Sequence, residues 1–203
     1  MTLRLGVMGG TFDPIHYGHL VTAEAACAQF SLDRVLFVPA GIPPHKTRPD
    51  VADAEHRHLM CVVATVTNEA FDVSRIEIDR QGPSYTVDTV RELHELFGPG
   101  LELHFITGAD AVWEILTWRD PDQVAKLARF IAATRPGYSL DRLHELTGKG
   151  IAEAVEVMEI PALAISSSDI RARVRDGRPI RYLTPDAVVG YIAKHGLYSE
   201  VAA

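Results

Sequence analysis

Residues 3–19 read LRLGVMGGTFDPIHYGH: an apolar run, a glycine pair, a turn carrying Asp13-Pro14, and the start of a segment with helical period. Leu3–Met8 has the length and composition of a buried strand, closed by Gly9-Gly10. The helix that follows is expected from about Tyr17 to Phe30. Backbone N–H groups at such a helix start, together with the positive end of its dipole, suit a phosphate group. His16 and His19, three residues apart, face the same way in the first turn, and each imidazole can donate to a phosphate oxygen. Gly18 removes a side chain where a nucleotide could approach closely.

Working outward, the same strand–helix alternation continues. Val35–Pro39 is a second strand, and the three prolines between Gly41 and Asp50 make a loop. Asp53 looks like an N-cap, with Leu59, Met60, Val63 and Val66 forming one apolar face. Phe71–Ile78 alternates as a third strand. Ser84 is placed to cap a helix whose Val90, Leu93 and Phe97 recur at helical spacing. Leu101–Thr107 is a strand, and Asp120-Pro121 with Gln123 forms a cap with proline at the first helical position. Phe130–Ala133 and Val155–Ile160 complete the strands. Ser167 and Thr184-Pro185 open two final helices, and residues 199–203 are expected to fray.

This alternation predicts an α/β fold with a doubly wound parallel sheet and right-handed crossovers. No internal repeat or linker divides the chain. It reads as a single domain over residues 1–203, with a small C-terminal helical part at about 166–198. Ligands of such sheets bind outside the carboxyl ends of the strands, near the topological switch point.

Twenty Lys and Arg against 27 Asp and Glu leave a net charge of −7, which argues against a nucleic-acid partner. A small anionic ligand needs only a local cationic pocket. Cys27 and Cys61 have neither metal-ligand spacing nor the density of a disulfide scaffold, and read as small apolar residues of a reduced compartment. The N-terminal apolar run is short for a signal peptide, and no uncharged stretch approaches a membrane span, so a cytoplasmic protein without a membrane partner is expected.

Two common nucleotide motifs are absent. There is no G-x-G-x-x-G, and Lys149 lacks both the Ser or Thr after it and a glycine where Leu143 stands. Either histidine taken singly reads as a surface residue near a helix end, but the eleven-residue string from Gly9 to His19 does not. A metal reading fails for want of a third ligand. Ile165-Ser166-Ser167-Ser168-Asp169-Ile170-Arg171 is either a serine cap or, with free amides and an arginine one turn on, an anion site. Arg173 and Arg175 read as solvated, and Glu55, His56, Arg57 and His58 as a charged helix face, solvated or structural.

His16-Tyr17-Gly18-His19 with Ile165 to Arg171 resembles the paired H-x-G-H and I-S-S-T-x-I-R signatures of a nucleotidyltransferase superfamily. Gly9 to His19 closely resembles the bacterial nicotinate-mononucleotide adenylyltransferase family. Pro43-Pro44-His45-Lys46, Ser84 to Thr89, Gly108-Ala109-Asp110, Trp118 and Arg135-Pro136-Gly137 follow in that family's order, so the likeness covers nearly the whole chain. Ser168 stands where the family more often has threonine, and the hydroxyl is kept.

The resemblance implies a Rossmann-like nucleotidyltransferase fold. It also implies transfer of AMP from ATP to nicotinic acid mononucleotide, giving deamido-NAD and pyrophosphate in NAD biosynthesis. The catalytic set would be His16, His19, Lys46 and Arg171. ATP would be held by Gly9, Gly10, Thr11, Phe12, His16, Gly18, His19, Gly108, Asp110, Ser167, Ser168 and Arg171. The mononucleotide would meet Lys46, Ser84, Tyr85, Thr86, Trp118, Arg119 and Arg135, with Trp113 in the core. Mg²⁺ would arrive on the ATP phosphates, with no metal held by protein ligands. A homo-oligomer is left open. The rival readings are a nicotinamide mononucleotide or phosphopantetheine acceptor, a cytidylyltransferase, and a non-catalytic nucleotide sensor.

Overall fold

The computed structural model describes residues 2–42, 51–109, 118–134, 154–161 and 163–199. Strands β1 (Leu3–Gly10), β2 (Arg34–Pro39), β3 (Phe71–Val73), β4 (Leu101–Gly108), β5 (Arg129–Thr134) and β6 (Val155–Glu159) alternate with helices. These are α1 (Tyr17–Gln29), α2 (Ala54–Thr65), α3 (Thr86–Phe97) and α4 (Pro121–Leu127), followed by α5 (Ser167–Arg175) and α6 (Asp186–His195). The strands form one sheet in the order β3-β2-β1-β4-β5-β6, every pairing parallel. The order reverses between β1 and β4, which puts the switch point where the glycine turn leaves the sheet.

Alternate residues of the central strands feed two cores. On one face Leu5, Val7, Leu103, Phe105 and Phe130 pack with Val87, Val90 and Leu93 of α3 and Val124 of α4. On the other, Met8, Phe37, Ile106 and Ile131 pack with Ala23 and Ala26 of α1, Met60 and Cys61 of α2, Ile170 of α5, and Val188 and Ile192 of α6. Strands covered on both faces explain why the sequence shows apolar runs instead of alternation.

Several expected boundaries shift, each for a local reason. The third strand ends at Val73 instead of Ile78. Ser74 donates its backbone N–H to Phe37, then accepts from the Ile76 N–H on its hydroxyl, turning the chain into the Arg75–Asp79 turn. The apolar face expected on α2 is wrong at Leu59 and Val66, which are exposed. Its buried residues are Arg57, His58, Met60, Cys61 and Thr65, so half of the supposed charged face lies inside. Phe97 ends α3 exposed, beyond the reach of the sheet.

The caps also differ. Ser84 does not cap α3; its hydroxyl accepts from the Gly41 N–H, and Tyr85 occupies the cap position. Asp120 precedes Pro121 as expected, but its left-handed backbone (φ 50°) caps through its carbonyl, which accepts from the Gln123 N–H. Asp53 stands at the α2 cap position without a side-chain cap bond. Helix α5 opens at Ser167 as expected, and its side-chain cap is Ser166, accepting from the Asp169 N–H at 3.2 Å. Thr184 is buried, and its hydroxyl donates to the Ile15 carbonyl while Pro185 occupies the α6 cap position.

Candidate active site

Two adjoining cavities open at the carboxyl ends of the central strands. The larger, about 540 Å³, is bounded by Gly9, His16, Gly18, Thr22, Thr107 and Gly108, among others. The smaller, about 290 Å³, is lined by Gly10, Thr11, Phe12, Ser167, Ser168 and Arg171, with Asp13 and Val51. His19 lines both and so stands at their junction.

The chain builds that junction from a short local motif. His16 sits at the cap position of α1 in extended backbone. Its N–H donates to Nδ1 of His19 at 3.2 Å, and the two rings stack with centroids 3.8 Å apart. An Nδ1 that accepts leaves the ring proton of neutral His19 on Nε2, as a donor. Burial pushes the His16 imidazole down to about 4, so this ring is neutral at physiological pH. Phe12, buried with a left-handed backbone (φ 49°), presents its ring edge-on to His19 at 5.0 Å. Gly18 lines the larger cavity, and it also serves His16: a Cβ there would lie 3.0 Å from two atoms of that ring.

Beneath the turn lies Arg57, only 2% exposed. Its guanidinium donates to the carbonyls of Thr11, Ala40, Gly41 and Ala52 at 2.6–3.1 Å. It thereby ties the turn after β1 to the loop after β2 and to the entry of α2. Because a trans peptide points its C=O and N–H in opposite directions, drawing the Thr11 carbonyl toward Arg57 aims the Phe12 N–H away from it. Sequence reasoning placed Arg57 on a charged face and gave it no role near the site.

The C-terminal helices hold the turn from the other side. Ser167 Oγ donates to the Pro14 carbonyl at 2.9 Å, and the Tyr17 N–H donates to Leu183. Arg171 Nη1 donates to the Asp13 carbonyl at 2.8 Å and lies 3.4 Å from its carboxylate. The Ser167 hydroxyl proton is therefore committed to Pro14, which leaves its helix-start N–H for an anion. Ser168 Oγ is exposed and 3.1 Å from Ser166 Oγ. Asp13, not singled out from sequence, is buried at the centre of these contacts.

The residues expected around the mononucleotide divide into two groups. Trp118 is half-buried with its ring edge-on to Phe105 and Phe130, and Arg119 lies over the Tyr85 ring at 4.9 Å, beside Thr86 at the start of α3. Ser84 is buried and bonded within the protein. Lys46, Asp110, Trp113 and Arg135 lie outside the described residues.

A glycine turn and two helix starts facing joined cavities, at the switch point of a 3-2-1-4-5-6 parallel sheet, define a site of the nucleotidyltransferase class. The family model described as cytidylyltransferase-like matches residues 7–173. A protein of Thermoanaerobacter sp. named "Probable nicotinate-nucleotide adenylyltransferase" is 55% identical over 98% of this chain and 95% of its own length. One of the same name from Moorella thermoacetica is 57% identical over 96% and 91%. The structure of the Plasmodium falciparum nicotinic acid mononucleotide adenylyltransferase complexed with NaAD shares the fold, with a TM-score of 0.78 over 97% of each chain at 21% identity. The chain belongs to the nicotinate-nucleotide adenylyltransferases, a family of nucleotide-transferring enzymes of NAD biosynthesis.

Proposed function

We propose that the protein joins the AMP of ATP to the phosphate of nicotinic acid mononucleotide, forming nicotinic acid adenine dinucleotide and pyrophosphate. The observation that carries this reading is the position of His19, at the junction of a nucleoside-sized cavity and a smaller one lined by Arg171, Ser168 and the Gly10–Phe12 turn. Adenosine in the larger cavity, near Gly9 and Gly108, and the β- and γ-phosphates in the smaller would leave the α-phosphorus at the junction. An oxygen of the mononucleotide phosphate attacks that phosphorus. The bond to the oxygen bridging to the β-phosphorus breaks, and pyrophosphate leaves with the electron pair. The attacking oxygen is already anionic, so the protein need supply neither nucleophile nor general base.

What the residues contribute is positioning and charge. The Nε2–H of His19 faces the transferring phosphate, with His16 as a neutral second imidazole beside it. Arg171, the Ser167 N–H and Ser168 receive the leaving pyrophosphate, Thr11 and Phe12 offer amides, and Lys46 reaches phosphates of both substrates. Tyr85, Thr86, Trp118 and Arg119 hold the pyridine, whose carboxylate accepts from backbone N–H groups. A carboxamide there would face donor against donor, at about 1–3 kcal/mol for each unpaired group. Asp110 would meet a ribose, Arg135 a phosphate, and Ser84 supports the subsite from below.

The residues also fit a Mg²⁺ that arrives with ATP. Asp13 is the carboxylate lining the described part of the phosphate cavity, and it is engaged by Arg171, Tyr198 and Ala52. When bound, the ion would neutralise polyphosphate charge. Among the described residues no helix is long and apolar enough to cross a membrane, and a cytoplasmic location completes the reading.

The test is pyrophosphate release from ATP and Mg²⁺ with three acceptors in parallel: nicotinic acid mononucleotide, nicotinamide mononucleotide and phosphopantetheine. Turnover with the acid and little with the others is expected. Preference for the amide would overturn the carboxylate pocket, and ATP binding without turnover on any acceptor would overturn the reaction.

A further inference from the structure

Asp13 is 3% exposed, and its carboxylate is shared unevenly. Oδ1 accepts two bonds, from the Tyr198 hydroxyl at 2.7 Å and from the Ala52 N–H at 3.1 Å. Among the described residues Oδ2 faces Arg171 Nη1, at 3.4 Å, while the same nitrogen donates to the Asp13 carbonyl at 2.8 Å. Asp13 and Arg171 line the phosphate cavity and Tyr198 does not. Tyr198 follows α6, far along the chain from both, and holds a left-handed backbone (φ 65°), a conformation an aromatic residue keeps only where its surroundings impose it.

A carboxylate and a guanidinium left to themselves close into a parallel two-bond pair. Such a pair would turn the Arg171 fork onto Asp13 and away from a polyphosphate. With Oδ1 already taken, the pair stays single-contact and longer than a charge-assisted hydrogen bond. Burial and the adjacent carboxylate push the Tyr198 phenol well above its ordinary range, so its O–H remains a donor throughout the working pH.

We infer that Tyr198 is a positioning residue for polyphosphate: by occupying Oδ1 of Asp13 it holds the Asp13–Arg171 pair to one contact and keeps the guanidinium directed at the leaving pyrophosphate. This rests on the reading of Arg171 as the pyrophosphate ligand. It adds that the C-terminal turn sets how strongly that ligand acts.

The experiment is calorimetric titration of the full-length protein with inorganic pyrophosphate and, separately, with nicotinic acid mononucleotide, for wild type, Tyr198→Phe, Arg171→Ala and the double variant. Loss of one hydrogen bond at this position should weaken pyrophosphate binding about 5- to 10-fold. Mononucleotide binding should stay within about twofold. In the Arg171→Ala background Tyr198→Phe should add nothing. Unchanged pyrophosphate affinity, equal weakening of both ligands, or additivity with Arg171→Ala would overturn the inference. If Tyr198→Phe fails to fold, Asp13→Asn takes its place. It keeps an acceptor for Tyr198 and Ala52 but turns an amide donor toward Arg171, so the two-bond pair cannot close, and pyrophosphate affinity should stay at or above that of wild type; a selective 5- to 10-fold loss would contradict the inference. Because binding is read without turnover, failure of the adenylyl-transfer reading would appear separately, as a wild-type protein that binds pyrophosphate yet releases none from ATP.

Discussion

The His16 and His19 rings stack at 3.8 Å while the His16 backbone N–H donates to Nδ1 of His19. One backbone bond thus selects the tautomer of the second histidine, and the stacked first ring limits its rotation. Both consequences follow from the three-residue spacing at a helix start, where the cap N–H and the third side chain meet.

Burial of His16 has a pH signature. Its imidazole is held at about 4 in the folded chain against about 6.5 when unfolded, so the unfolded state binds the proton first. Stability contributed by the neutral ring is complete above about pH 6.5 and is lost as pH falls toward 4, by about 3 kcal/mol. Chemical unfolding at pH 7 and pH 4 should show wild type losing about that much more than His16→Gln. His58 and His104, also pushed down by burial, act in both proteins. Parallel pH dependence of the two proteins would mean that His16 is not buried as described.

Gly18→Ala places a methyl against the His16 ring at a distance that ordinary contacts do not reach. Displacing the ring by a few tenths of an ångström should cost about 1 kcal/mol of stability and lower kcat about 10-fold. Steady-state kinetics with thermal unfolding check this. A fully active Gly18→Ala would show that the ring need not stay where it is.

Arg57 satisfies four carbonyls from three segments. Replacing it with Met leaves those partly buried oxygens without this donor and should destabilise the protein by about 3 kcal/mol or more, measured by urea unfolding. Lys, with three donors and no planar fork, should recover only part. A loss below 1 kcal/mol for Arg57→Met would remove it as the clamp of the turn.

Trp118 leans on Phe105 and Phe130, which fixes its indole at the edge of the aromatic cluster. If its face stacks on the cationic pyridine, Trp118→Ala should raise KM for the mononucleotide about 10-fold and leave KM for ATP within about twofold. Equal changes in both would mark Trp118 as packing alone.

The sheet and the turns that line the cavities were legible because each has a local signature. Strand–helix alternation gives the parallel sheet, and the strings around His16, His19 and Ser166–Arg171 carry helix-start signals within single turns. Arg57 was not legible, because its partners Thr11, Ala40 and Gly41 are distant in sequence and are carbonyls that no residue type announces. Asp13 gathers Ala52, Arg171 and Tyr198 across most of the chain and looks locally like an ordinary turn aspartate. The overlong third strand and the misplaced α3 cap fail the same way: Ser74 and Ser84 use hydroxyls on partners that helix and strand periodicity does not encode.

In the proposed reaction His19 acts on the transferring phosphate in the transition state and contributes little to holding ATP. The measurement to make is the kinetics of His19→Ala beside its ATP dissociation constant. Expected is a fall in kcat of about 100-fold or more, with ATP affinity within a few-fold of wild type. Near-native kcat, or a loss confined to ATP affinity, would contradict it.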